Sequence, residues 1–391
     1  MMQFQKNSII PLLVFVGFTQ STLATDEDFE LFLKQEHSEF AQFQQQHIEE
    51  FGEFVTAWQQ AETQYKKQIG QKWDKALLPS KKVWVSYSDD LNTRTSIDYD
   101  TGKVKIEFKK INSNLSPTIE AKNVLKKIAN QSTQQALSND PVYQSAEQTL
   151  VKKRIETSNK VVKQTFALEN EGVKLLSPVL VQQAIAEKAP VVTYGAQATS
   201  VTFALPKQSL PQKAKPFLKE VSKQARRWHV SPSLLLAIIH TESSFNPMAR
   251  SPIPAFGLMQ IVPTTAGKDV SALMHGKPML YSPEYLYQSS NNIEAGSAYL
   301  HILDQRYFKA VRNATSRKYL CIAAYNTGIG NVAKTLTGTN SLNRAAIAAN
   351  LMSPQQLHQK LLRNLPAEET RNYLRKVLKR SDDYEQQIKG I

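Results

Sequence analysis

The chain has 391 residues, enough for two domains with a core in each. Its 41% hydrophobic and 21% charged residues describe an ordinary soluble globular protein, and one cysteine excludes an internal disulfide framework. A net charge of +14 suits nucleic acid, anionic lipid or an acidic polymer, but no stretch reads as a nucleic-acid module.

The N-terminus reads as a secretory signal peptide over residues 1–24. Lys6 gives a short positive region, and Ile9 to Phe18 is an apolar run too short to span a bilayer. Thr22-Leu23-Ala24 then offers a small-x-small cleavage site before the polar Thr25-Asp26-Glu27-Asp28. The alternative is a retained membrane anchor. The only cysteine, Cys321, lies deep in the chain, so no lipid-attachment cysteine follows the apolar run. An exported protein with no transmembrane segment in the mature chain is expected.

Residues 25–206 are expected to form an α+β domain. Over residues 28–75, Phe40, Phe43, Ile48, Phe51, Phe54 and Trp58 recur at spacings of three to five, a helical packing face. The period then changes. Val83–Tyr87, Thr93–Tyr99 and Lys103–Phe108 are rich in β-formers, with turns at Asp89–Asn92 and Asp100–Gly102, and predict a three-stranded meander. Ser116-Pro117 opens a further helix, and residues 143 to 187 continue as polar helical segments. Val191–Tyr194 and Val201–Leu205 read as two more strands.

Residues 207–391 are expected to be mainly α. Leu218, Val221, Ala225 and Trp228 form one stripe. Ser231 is a natural N-cap and Pro232 suits the first helical position. Leu234 to Ile239 is apolar all round, so this helix belongs in a core. Asn246-Pro247 is its stop signal. Glu242, near its end, would be half desolvated, which favours the neutral carboxyl and suits a general acid. His240 sits about 200° round the helix from Glu242 and faces elsewhere. Further helices are expected over Ile293–Tyr307, Tyr319–Asn326 and from Pro366 onward. His275, His301 and His358 have no metal-ligand spacing.

Three short motifs therefore stand in one helical region: Glu242-Ser243, Gly257-Leu258-Met259-Gln260 and Ala324-Tyr325-Asn326. Their order, with Asn246-Pro247 after the first and Gly328 and Gly330 after the third, resembles the soluble-lytic-transglycosylase family of lysozyme-like enzymes. Thr241–Pro247, Thr265–Val270 and Glu369–Leu374 resemble its membrane-bound murein transglycosylase C group. So do Val85-Ser86-Tyr87 and Thr93–Ile97 in the N-terminal region. Two features depart from the pattern. The lipid-anchoring cysteine is absent. Pro254 stands where many soluble relatives carry Gly, and the bulky Phe256 beside it is expected to narrow the cleft.

The resemblance implies an α+β N-terminal domain followed by a lysozyme-like catalytic domain. It implies cleavage of the β-1,4 bond between N-acetylmuramic acid and N-acetylglucosamine in peptidoglycan, ending in a 1,6-anhydromuramoyl residue, with no metal and no cofactor. Glu242 would act as acid and then as base. Ser243 and Gln260 would hydrogen-bond the glycan, Met259 would form an apolar wall for a sugar ring, Tyr325 and Asn326 would position the saccharide, and Tyr373 would hold Glu242. The N-terminal domain would meet the wall or a protein partner, in a periplasmic protein peripheral to the outer membrane or to the wall. Two alternatives stay open. A hydrolytic muramidase would need a second carboxylate, Asp269 or Asp304, about 6.5–9.5 Å from the acid. A silent wall-binding protein would need none.

Overall fold

The computed structural model describes residues 52–110, 115–156, 173–252 and 255–388. The signal-peptide segment, Phe40, Phe43, Ile48, Phe51 and Pro254 lie outside these residues. Among the described residues no helix is long and apolar enough to cross a membrane.

The first described element is α1, residues 52–70. The predicted meander is present as β1 (Val83–Tyr87), β2 (Thr93–Asp98) and β3 (Lys103–Phe108). Between β3 and the last two strands lie α2 (Pro117–Ala129), α3 (Thr133–Ser138), α4 (Pro141–Glu156) and α5 (Pro178–Glu187). The strands β4 (Val191–Tyr194) and β5 (Thr199–Ala204) then join the meander, giving one antiparallel sheet in the order β1-β2-β3-β5-β4. The side-chain period of two explains its two faces. Trp84, Ile97, Val104 and Phe203 stand opposite one another across four strands, and all are buried. Helices α2 and α5 pack against β5. The other face carries a cross-strand pair. Arg94 donates to Glu107 at 2.7 Å, with its guanidinium 4.2 Å above the Trp73 ring.

After a short α6 (Leu210–Ala214) and one 3-10 turn, the chain is helical, as predicted. It runs through α7 (Leu218–Trp228), α8 (Pro232–Ser243), α9 (Ala266–His275), α10 (Pro283–Tyr287) and α11 (Ser289–Ile302). A π-turn at Leu303–Tyr307 follows, then α12 (Ala314–Thr327), α13 (Ile329–Thr337), α14 (Leu342–Asn350), α15 (Pro354–Asn364) and α16 (Glu368–Ile388). One hydrophobic cluster extends from Trp58 through the sheet to α8 and Tyr384.

Phe256 corrects the expectation placed on it. It is fully buried between Phe54, Trp58 and Tyr287, with ring centroids 5.4 to 6.1 Å apart, and so does not narrow a cleft. The α1 aromatics are its partners, an edge-to-face arrangement favoured by ring quadrupoles.

Candidate active site

The site is assembled at the end of α8. Ser231 caps its start by accepting from the Leu234 amide, with Pro232 in the first turn. Leu235 to Ile239 are fully buried, and α8 packs chiefly on α16. The helix ends at Ser243, before the predicted Asn246-Pro247 stop. Ser244 and Phe245 both adopt left-handed backbone, φ 51° and 67°, without being glycine. Such residues carry a local cost of roughly 1–2 kcal/mol each. Contacts outside the helix offset it. The Ser244 hydroxyl donates to Asp100 at 2.6 Å, and Phe245 stacks on Phe217 with centroids 5.9 Å apart.

Glu242 is buried near this end. Burial drives its carboxyl above the usual carboxylate range. The Lys81 ammonium, 3.5 Å from Oε2, opposes that rise, as does the Tyr373 hydroxyl, while the Glu369 charge adds to it. Desolvation prevails, so the neutral acid is favoured. Tyr373 comes from α16. Its hydroxyl is buried and turned towards Glu242, but closes no bond of full hydrogen-bond geometry among the described residues.

The second motif is a tight turn. Phe256 and Ile261 exchange both backbone hydrogen bonds at 3.1 Å, and Gly257 and Gln260 have φ of 76° and 49°. Asn292 of α11 holds the turn from beneath. Its side-chain amide donates to the Phe256 and Leu286 carbonyls and its oxygen accepts from the Met259 amide, all at 2.7 to 2.8 Å. Gln260 donates to the Gly257 carbonyl, and its buried Oε1 has no partner among the described residues. An unpaired buried carbonyl oxygen is costly unless a ligand satisfies it. The third motif meets the second at Tyr325, whose hydroxyl donates to the Met259 carbonyl at 2.9 Å. Burial and the Glu242 charge both raise the Tyr325 phenol, so it stands beside the acid as a neutral donor. Asn326 is half-buried at the end of α12.

Two expected contacts are not presented. Met259 is fully buried, with its thioether packed on Gly296 of α11, and leaves no surface for a sugar ring. Its backbone carbonyl is what it contributes. Ser243 is fully buried too, and its hydroxyl donates back to Ile239 at 2.9 Å, a bond common for serine inside a helix. Neither aspartate considered as a second carboxylate is free. Asp269 accepts from Tyr307 at 2.9 Å and Asp304 from Arg317 at 2.6 Å. Lys81, Glu369 and Asn292 are features of the site absent from the sequence reading. Only the Glu369–Leu374 similarity hinted at one of them.

On the far side of α8, His240 packs on Tyr384, with Nδ1 3.2 Å from the hydroxyl. Burial first, then the Arg380 and Lys213 charges, push its imidazole from the ordinary 6.5 down to about 3. The unfolded chain takes up a proton below 6.5 while the folded chain refuses it until about 3. Stability from neutral His240 is thus complete above pH 6.5 and drains away between 6.5 and 3. In denaturant titrations over that window, His240→Gln should lose less stability per pH unit than the parent chain. Parallel slopes would show that the proton is not excluded.

Residues 220–348 match the family described as Transglycosylase SLT domain. Residues 47–167 match Membrane-bound lytic murein transglycosylase C, N-terminal domain. The helical half is thus of the SLT class. The membrane-bound lytic murein transglycosylase C of Yersinia pestis (strain Pestoides F) is 35% identical over 317 residues, covering 79% of this chain and 84% of the relative. That of Yersinia pseudotuberculosis serotype O:1b gives the same values. The chain belongs to the membrane-bound lytic murein transglycosylase C family. Among solved structures, lytic transglycosylase Slt from Pseudomonas aeruginosa is similar at 28% identity and a TM-score of 0.32, over 44% of this chain and 24% of that one. The 70 kDa soluble lytic transglycosylase from Escherichia coli is similar at 19% identity and a TM-score of 0.34, over 69% and 43%.

Proposed function

We propose that this protein cleaves the β-1,4 bond between N-acetylmuramic acid and N-acetylglucosamine in peptidoglycan by intramolecular transfer, leaving a 1,6-anhydromuramoyl end. The observation that carries this reading is Glu242, a buried carboxyl biased towards its neutral form by burial at the end of α8. In the first step it gives its proton to the glycosidic oxygen, and N-acetylglucosamine leaves with the bond's electron pair. The muramoyl acetamido oxygen stabilises the cation at C1. In the second step the Glu242 carboxylate takes the proton of the C6 hydroxyl as O6 bonds to C1. The acid is restored and no water is consumed. Held in place, this attack gains the large advantage of an intramolecular reaction.

Tyr373 orients the Glu242 carboxyl, Tyr325 and Asn326 line the glycan, and the unpaired Gln260 Oε1 accepts from an N-acetyl N–H. Ser243 and Met259 support the turn and the helix end from within. Asp269 and Asp304 are each held by a partner, Tyr307 and Arg317, and hydrolysis would need one of them as base at about 6.5–9.5 Å from Glu242. The protein works in the cell envelope, exported, with its N-terminal region against the wall or a protein partner.

Digestion of purified peptidoglycan followed by mass spectrometry tests the reading. Released muropeptides should lack the mass of one water relative to reducing-end products. Reducing ends alone would establish a muramidase instead, and no release would leave a wall-binding protein.

A further inference from the structure

The segment before β1 reaches the end of α8. The Ser80 and Lys81 carbonyls accept from the Asn246 side-chain amide at 3.4 and 3.3 Å, and Ser80 also accepts from the Arg250 amide at 3.5 Å. These bonds fix the Lys81 backbone against Asn246, four residues beyond Glu242. From there its side chain returns to the acid, with Nζ 3.5 Å from Glu242 Oε2 and 3.9 Å from Glu369 Oε1. The Lys81 side chain keeps 37% of its exposure and the Glu242 side chain 6%, so a partly hydrated side chain faces a largely dry one.

We propose that Lys81, supplied by the sheet-bearing half of the chain, is a positioning residue that holds Glu242 and balances the carboxylate formed when Glu242 gives up its proton. This deepens, and rests on, the acid–base role proposed for Glu242. The problem it solves is specific to a lone carboxyl that must serve in both states. Burial alone makes a weak acid that donates poorly and leaves an uncompensated charge after donation. A neighbouring cation lowers the energy of the intermediate ion pair, and partial exposure keeps it from ionising Glu242 outright. Glu369, the other charged group acting on Glu242 among the described residues, works in the opposite sense. Tyr373 and Tyr325 face Glu242 as neutral phenols.

The test compares the full chain with Lys81→Met, Lys81→Arg, Lys82→Met and Glu242→Gln. The readout is the initial rate of muropeptide release from purified peptidoglycan across a pH series. Only protonated Glu242 can start the reaction, so activity falls on the alkaline side as it ionises. In Lys81→Met that limb should move up by about one pH unit, and the rate at the optimum should fall about tenfold. Lys81→Arg should restore both. Lys82→Met, whose ammonium pairs instead with Asp100 at 3.1 Å, should leave the limb in place. A structural tether would lower the melting temperature without moving the limb. An unmoved limb in folded Lys81→Met, with Glu242→Gln inactive, overturns the proposal and leaves the role of Glu242 standing. Activity in Glu242→Gln removes both.

Discussion

Glu242→Gln is expected to lower the rate of muropeptide release by roughly 10³-fold or more, because one side chain is asked to be both acid and base. Gln keeps the volume and most of the packing at the end of α8 but has no proton of suitable acidity. Stability should not fall with activity. The parent carboxyl is held buried against desolvation, and the amide escapes that penalty. A melting temperature equal to or above the parent's, with turnover gone, is therefore the expected pair of results. Turnover within tenfold of the parent would sink the assignment of Glu242.

The second large effect concerns the turn that carries Gln260. Gly257 has φ 76°, and a Cβ there would collide with the Leu286 carbonyl and stand 2.5 Å from Asn292 Nδ2. Left-handed backbone costs an alanine roughly 1–2 kcal/mol, and forcing atoms into a filled space about 1–3 kcal/mol more. Gly257→Ala should therefore lose about 3 kcal/mol in denaturant titration. It should also lose most activity, since Asn292 cannot keep its bonds to Phe256, Leu286 and Met259 while yielding to the methyl. Gly338→Ala is the comparison: φ is 74° there, but nothing lies within 4 Å of the added atom, so only the backbone term applies. Equal losses in the two variants would show that the collision is relieved without cost.

What the sequence disclosed and what it withheld divide along the range of the interactions. The α8 start was legible because Ser231 and Pro232 act within one turn. The meander was legible because alternation and turn residues are local. The joining of β5 to β3 was not, since their pairing spans some ninety residues and leaves no local mark. The end of α8 was legible to within three residues, with Glu242 placed there and Asn246-Pro247 read as the stop. Ser244, left-handed at the cap, has its hydroxyl on Asp100, a partner far back in the chain that no local pattern reveals. Glu242 announced itself by standing at the end of an apolar run. Lys81 could not, because Pro79-Ser80-Lys81-Lys82 looks like any basic linker until the sheet brings it to the acid. Met259 shows the opposite case, a motif residue that reads equally as a sugar wall or as plain packing, and whose side chain the fold packs against Gly296.

The bonds from Ser80, Lys81 and Asp100 to the end of α8 also bear on how the protein can be cut down. A fragment beginning near residue 209 would keep all three motifs yet strand the Asn246 side-chain amide and leave the Ser244 hydroxyl only its long bond to the His240 carbonyl, 3.4 Å. Arg250 would lose both Glu62 and Asp140 as counter-ions. Minimal versions of the helical half made for crystallisation or inhibitor screening would thus display an altered cleft, and compounds selected on them would be fitted to a shape the intact chain does not offer.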